Sequence, residues 1–279
     1  MHRVVNIGCL ASYIADRQLK KSALAVALCM PLAWNGAMAQ TDDLLDEQLL
    51  PTLDITAPAD SATGSADAVA VITRSQLQGL AVSSVGELLE QLPGLDLRTR
   101  GGGDVQGDLT MRGGSFDQMI ILLNGVNLTD AQTGHHNLDI PIDLSMVDRV
   151  EIIPPSALMH YGMTSFCGAV NIATGESADK LLAQVSGGSF GQLHASAGAA
   201  RVVGPWTLSA AASYHQSNGY MPNTDYSHGS LYLQAHRKDQ QGDWLIQAGA
   251  QSKDFGSQAF YSAKYPDQFE ATRTLMASV

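Results

Sequence analysis

The segment Trp206-Thr207-Leu208-Ser209-Ala210-Ala211-Ala212-Ser213-Tyr214-His215 sets apolar side chains at even positions and mostly small or polar ones at odd positions. Period two is the side-chain repeat of an extended strand, whereas a helix repeats every 3.6 residues. The pattern recurs on both sides. Leu193, Ala195, Ala197 and Ala199 alternate with Gln192, His194, Ser196 and Gly198; Leu231, Leu233 and Ala235 with Ser230, Tyr232, Gln234 and His236; Trp244, Ile246, Ala248 and Ala250 with Gln247, Gly249 and Gln251. A strand at Leu181 to Ser186 precedes these, and another begins at Thr272.

Each segment is about ten residues long, what a tilted strand needs to cross a bilayer. Phe190, Trp206, Tyr214, Tyr226 and Trp244 stand near segment ends. Short turns (Val203 to Pro205, Lys238 to Asp243) alternate with longer excursions (Asn218 to Asp225, Phe255 to Phe269), apart from a tight first hairpin at Ser189. Aromatic girdles with short turns on one side and long loops on the other describe an antiparallel transmembrane β-barrel. A soluble β-sandwich is the competing architecture. Its strands also alternate, but they seldom set Ala, Gly and Ser opposite a continuous apolar band.

The chain has 279 residues, 45% hydrophobic and 15% charged, which excludes disordered and coiled-coil classes. Its 16 basic and 27 acidic residues argue against a nucleic-acid partner, because phosphate neutralisation needs the opposite balance. Of 17 Phe, Trp and Tyr, only Tyr13, Trp34 and Phe116 precede position 161, so two regions of different physics are joined.

At the amino end Lys20 and Lys21 lead into the apolar stretch Ser22 to Leu32, followed by Ala37-Met38-Ala39, the order of a secretory signal. Residues 1–39 are read as that signal. Cleavage removes Cys9 and Cys29, leaving Cys167 as a small buried apolar residue without a disulfide partner. It also leaves 12 basic against 26 acidic residues. Residues 40–67 are a flexible segment carrying one β-prone stretch, Thr52 to Ala57, ended by Pro58. Composition alone fits an ordinary linker; an isolated strand of this kind also suits addition to a partner's sheet edge.

Residues 68–175 mix strand and helix. Ser84 with Glu87 forms a capping box for a helix whose apolar face is Val85, Leu88, Leu89 and Leu92, stopped by Pro93-Gly94. Strands are expected around Val69 to Ile72, at Leu95 to Arg98, Asp108 to Arg112, Met119 to Leu123, Arg149 to Ile153 and Ala169 to Ala173, with Asn124-Gly125 as a hairpin turn. The outcome is an α+β domain ahead of the barrel strands.

In order along the chain, these residues resemble the TonB-dependent outer-membrane receptors, whose plug domain fills a large barrel. Thr52 to Ala57 resembles the TonB box. Leu88-Leu89-Glu90-Gln91-Leu92-Pro93-Gly94-Leu95, Thr110-Met111-Arg112-Gly113-Gly114, Ile121-Leu122-Leu123-Asn124-Gly125-Val126, Asp148-Arg149-Val150-Glu151-Ile152-Ile153, Tyr161-Gly162 and Gly168-Ala169-Val170-Asn171-Ile172 resemble the plug motifs. Asn124 stands where the family usually has Asp, and Pro154-Pro155 replaces its basic-Gly-Pro tripeptide. Family barrels have about 22 strands. This chain supplies five and the start of a sixth, an incomplete barrel, and reads as a truncated amino-terminal part of a longer product.

The resemblance implies import of a scarce large ligand, cobalamin or a ferric siderophore, through the outer membrane of a Gram-negative-type cell. The partners are then TonB with its inner-membrane energising complex, and outer-membrane lipid. Leu53, Asp54, Ile55, Thr56 and Ala57 are the TonB-binding residues. Arg112 and Glu151 are an expected charge pair within the plug. Ser115, Phe116, Asp117, Asp130, Thr133, His135, His136 and Asn137 fall on plug apices that meet ligand. Tyr220, Phe260, Tyr261 and Tyr265 could stack on ligand or line the membrane interface, whereas Tyr226 is assigned to the interface. Adjacent His135 and His136 seldom reach one metal, so neither metal nor cofactor is expected.

An enzyme is the rival class. Gly187-Gly188-Ser189-Phe190-Gly191 matches G-x-S-x-G, but strand alternation follows it where a nucleophile elbow requires a helix. Gly101-Gly102-Gly103 lacks a dinucleotide loop's third glycine, and no Walker lysine is present. The remaining alternative is a plug-bearing interaction protein, or a non-functional fragment without transport.

Overall fold

The computed structural model describes residues 70–77, 80, 82–103, 105–130, 132–158, 165–175, 180–240 and 242–279. The secretory signal, the TonB-box resemblance at Thr52 to Ala57 and Tyr161-Gly162 lie outside the described residues.

The amino-terminal part begins with β1 (Ala70–Thr73), α1 (Arg74–Leu77) and α2 (Val85–Glu90). Next come β2 (Leu95–Arg100), β3 (Gln106–Met111), β4 (Met119–Leu123), β5 (Val126–Asn127) and β6 (Val147–Ile153), then α3 (Pro155–Leu158) and β7 (Gly168–Thr174). Five strands form one sheet in the order β1-β6-β7-β4-β5, with β4 and β7 parallel, while β2 and β3 form a separate hairpin.

Met119-Ile120-Ile121-Leu122-Leu123 is buried throughout, so β4 does not alternate; strands covered on both faces read as continuous apolar runs. Ile121 and Leu123 join the main core with Ile72, Leu88, Leu89, Val150, Val170 and Ile172. Ile120 and Leu122 face a smaller cluster with Ile153, Leu158 and Ala169. Asn124 and Gly125 turn at φ +51° and +79°, the left-handed conformation that a two-residue hairpin demands. Cys167 is a buried free thiol.

Two local expectations need correction. Ser84 caps α2 by accepting from the Glu87 amide, but the Glu87 carboxylate returns to Ser83, accepting from its amide and hydroxyl at 2.7 Å each, so the box is shifted by one residue. Arg112 and Glu151 do not pair. Arg112 is exposed in a turn at φ +55°, whereas Glu151 is fully buried and bonds Arg149 Nε at 2.8 Å and Asn171 Nδ2 at 2.9 Å. Arg149 lies two residues away on the same strand face, nearer than any side chain of the distant turn.

The carboxy-terminal part is an antiparallel meander: β8 (Lys180–Gly187), β9 (Leu193–Val203), β10 (Trp206–Ser217), β11 (Tyr226–Asp239), β12 (Gly242–Gly256) and β13 (Phe269–Ser278). Its strands run to 15 residues and the sixth spans ten, Phe269–Ser278, longer than the alternation alone indicated, because ladders continue beyond the apolar band. The six do not close; β8 and β13 are the edges of the described sheet. Gly187 to Gly191 turns from β8 directly into β9, so the G-x-S-x-G sequence is a hairpin.

The meander is apolar outside and polar inside. Leu208, Leu231, Leu233, Trp244, Ile246 and Leu275 are 42–57% exposed, while the alternate Ser209, Ser213, Ser230, Gln234, Gln247 and Gln251 are at most 8% exposed. A soluble sandwich would bury the first set. Apolar-out and polar-in is the arrangement of a wall between lipid and a filled lumen. The wall's Tyr232 and Met276 also pack on the core of the amino-terminal part.

Candidate functional site

At the wall's long-loop end, two apical segments of the amino-terminal domain are tied together. Asp117 Oδ1 accepts from the Gly134 amide at 3.1 Å, and Asn137 Nδ2 donates to the Phe116 carbonyl at 3.3 Å. Asn137 Oδ1 accepts from the Asp130 amide at 2.9 Å, and Asp130 Oδ1 accepts from the Gln132 and Thr133 amides at 2.8 and 3.0 Å. Ser115 caps the first turn in a capping box with Gln118, and Thr133 caps the second by accepting from His135. Asp117, Asp130 and Asn137 are thereby engaged in loop backbone.

The apical side chains meet residues from the long connection after β12. His135 Nδ1 lies 2.5 Å from Asp108 Oδ1, and its ring stacks on Phe116 at 4.5 Å. Arg100 reaches Asp108 at 3.3 Å and the Phe260 carbonyl at 3.0 Å, with its guanidinium 5.8 Å from the Tyr261 ring centre. Gln106 Nε2 donates to the Tyr261 hydroxyl at 2.8 Å. Burial, followed by contact with Glu270, pushes the Tyr261 phenol up to about 12, so it stays a neutral hydrogen-bonding group. Phe116, His135 and Tyr261 offer aromatic faces here, beside an Arg100 guanidinium already paired with Asp108.

A second contact belt lies between domain and wall. Pairing places His194, His215, His228 and Lys253 side by side on β9, β10, β11 and β12. Facing them are Asp139 and Asp143. Lys253 Nζ is 2.8 Å from Asp139 Oδ1; Asp143 Oδ2 is 3.5 Å from His194 Nε2 and 3.9 Å from His215 Nε2. Burial alone would raise the Asp139 carboxyl, but Lys253 and His136 overcome it and hold it well below the carboxylate range. Burial is likewise outweighed at Asp143, by His215 and Ser145, giving about 2. His136 turns to Asp139 at 3.5 Å, which raises its pKa against the opposing effect of burial.

A third contact centres on Asn124. Its Oδ1 accepts from the Thr174 amide at 2.8 Å, and its Nδ2 lies within donating distance of Tyr232 Oη (3.0 Å), Gln247 Oε1 (2.8 Å) and Thr174 Oγ1 (2.9 Å). The next amide, Gly125, donates to Asn171 Oδ1, and Asn171 donates to Glu151. A hydrogen-bonded path thus runs from the Arg149–Glu151 pair to the wall.

Residues 61–169 match the family model described as the TonB-dependent receptor plug domain. These residues are a TonB-dependent receptor plug. The vitamin B12 transporter BtuB of Vibrio cholerae is 30% identical over 156 residues, covering 56% of this chain and 25% of that protein. The BtuB of Photobacterium profundum is 26% identical over 177 residues, covering 61% and 27%. The crystal structure of the siderophore receptor PiuA from Acinetobacter baumannii superposes with a TM-score of 0.53 at 17% identity, covering 72% of this chain and 29% of that one, a likeness of fold. The chain spans about a quarter of the length of the curated relatives it matches. Its fold is a plug followed by an incomplete antiparallel barrel wall.

Of the apical residues expected from sequence, the plug brings Ser115, Phe116, Asp117, Asp130, Thr133, His135 and Asn137 together, and sends His136 toward Asp139. Tyr226 begins β11 with its ring against Gly103, where a side chain would collide with it, so it meets the plug. The row His194, His215, His228 lies in the polar phase of three strands and is set in line only by their register. Asn124 is also explained: aspartate there could not donate to Tyr232 or Gln247. Asn124→Asp is therefore expected to lower plug stability by about 1–3 kcal/mol, read as a lower urea midpoint, while keeping the turn, since both residues tolerate positive φ.

Proposed function

We propose that the chain is the amino-terminal part of a receptor that imports a scarce large ligand, cobalamin or a ferric siderophore, across the outer membrane. Residues 1–39 direct export, 40–67 carry the handle, 68–175 are the plug and 176–279 begin the barrel in outer-membrane lipid. The observation that carries the reading is the polar inner face of the wall bonded to the plug, because a plug held by hydrogen bonds and ion pairs can be released and reseated. The apical residues take the ligand, with Phe116, His135 and Tyr261 as the contact surface. TonB, energised from the inner membrane, pairs with Leu53 to Ala57 and pulls on the plug. The relatives named as vitamin B12 transporters and as a siderophore receptor support the two ligand classes. The chemistry is transport, with no bond made or broken in the ligand.

The test is uptake of labelled cyanocobalamin and of ferric siderophores by cells making the receptor, with and without TonB and with Ile55→Pro. Proline removes an amide that strand pairing uses. Uptake of one ligand that falls to the TonB-less level in the variant is expected. Saturable uptake indifferent to both TonB and Ile55→Pro would overturn the reading.

A further inference from the structure

We propose that Asp143 of the plug and His194 and His215 of the wall form a binding site for a divalent transition metal of the zinc class, which clips plug to barrel. The candidate ligand atoms all lie within 4.8 Å of one another. Asp143 caps the turn Leu144–Met146, its Oδ1 accepting from the Ser145 amide at 3.0 Å, and this fixes the carboxylate and leaves Oδ2 for the two imidazoles. A ligand oriented in this way by a second bond is the usual support of a metal site.

The separations favour an ion over direct bonding. At 3.5 and 3.9 Å, the two nitrogens stand at or beyond the limit of a hydrogen bond to Oδ2, and His194 Nε2 is buried without a hydrogen-bond partner. Metal–ligand lengths near 2.0–2.1 Å place tetrahedral ligands about 3.4 Å apart, close to what is found. The two rings stack 3.9 Å apart and 17° from parallel, so metal binding requires them to turn out of the stack before their in-plane lone pairs meet on one ion. Two imidazoles with one carboxylate suit zinc, nickel or copper better than calcium or magnesium.

The surroundings fit as well. The nearby cation Lys253 is neutralised by Asp139 at 2.8 Å. The cluster borders a cavity of about 210 Å³, shared with Gln192, His228 and Gln251, which leaves room for a water as fourth ligand. Three protein ligands and one open position make an exchangeable site rather than a closed structural one. Because Asp143 belongs to the plug and both histidines to the wall, occupancy joins the two parts. Metal binding stands independently of the import reading; only its effect on plug release rests on that reading.

The experiment titrates the full chain in detergent micelles with Zn²⁺ and with Co²⁺, following heat of binding and the visible band of tetrahedral Co²⁺. One saturable equivalent is expected. His194→Gln, His215→Gln and Asp143→Asn should each weaken it by about 100-fold or more, since even loss of an outer-shell partner costs 10–100-fold. His236→Gln, at the wall's other end, should leave it unchanged, and His215→Cys, which keeps a zinc ligand, should retain binding and report that the wall still folds. Failure to saturate in the wild type, or binding that survives loss of both His194 and His215, would overturn the site.

Discussion

Replacing Glu151 with alanine should destabilise the plug by about 3 kcal/mol, the low end for breaking a buried pair, because it leaves the half-buried Arg149 without its counter-charge and the Asn171 amide without its acceptor. Glu151 is fully buried, with one carboxylate oxygen on Arg149 and the other on Asn171. The loss does not stop at the pair. Asn171 also receives the Gly125 amide, and Gly125 follows the Asn124 that bonds the wall. Glu151→Gln should cost less, because its amide oxygen can still accept from one of the two donors, Arg149 or Asn171. Urea unfolding followed by protease sensitivity of the plug checks both variants. A Glu151→Ala midpoint equal to wild type would show that the pair is not a determinant of plug stability.

The second large effect is expected on the opposite surface. Leu233 lies near the middle of β11, points outward and is 47% exposed. In a soluble protein an exposed Leu→Arg change is close to neutral. In a wall facing lipid, arginine at the bilayer midplane costs about 2–4 kcal/mol. Leu233→Arg should therefore lower folding yield into lipid vesicles, and Leu233→Ala should do so far less. Arginine near the wall's ends, at Val203 for example, should cost about 0–1 kcal/mol. Equal effects at Leu233 and Val203 would contradict a bilayer-spanning β11.

The wall was legible in the sequence because period-two alternation survives in every strand. Its true strand lengths were not, because the residues added at the strand ends are polar and look like loop. The plug's β4 was legible as one apolar run bounded by Asn124-Gly125. The partner of Glu151 is not legible from motif order, because Arg149, the same-face neighbour two positions away, takes the place that the motifs suggest for Arg112. The belt of His194, His215 and His228 was hidden for a different reason. Each histidine is unremarkable in its own strand, and only the cross-strand register sets them in one row opposite Asp139 and Asp143.

The most direct test of a plug held inside a lipid-facing wall is a nitroxide scan of β11. Spin labels are placed singly from Ser230 to Ala235 in the full chain in bilayers, and collisions with oxygen and with a water-soluble nickel chelate are measured. Oxygen accessibility high at 231, 233 and 235 and low at 230, 232 and 234, with little chelate access at the outward set, is the predicted result. High chelate access at 231, 233 and 235, or no alternation along the strand, would contradict it.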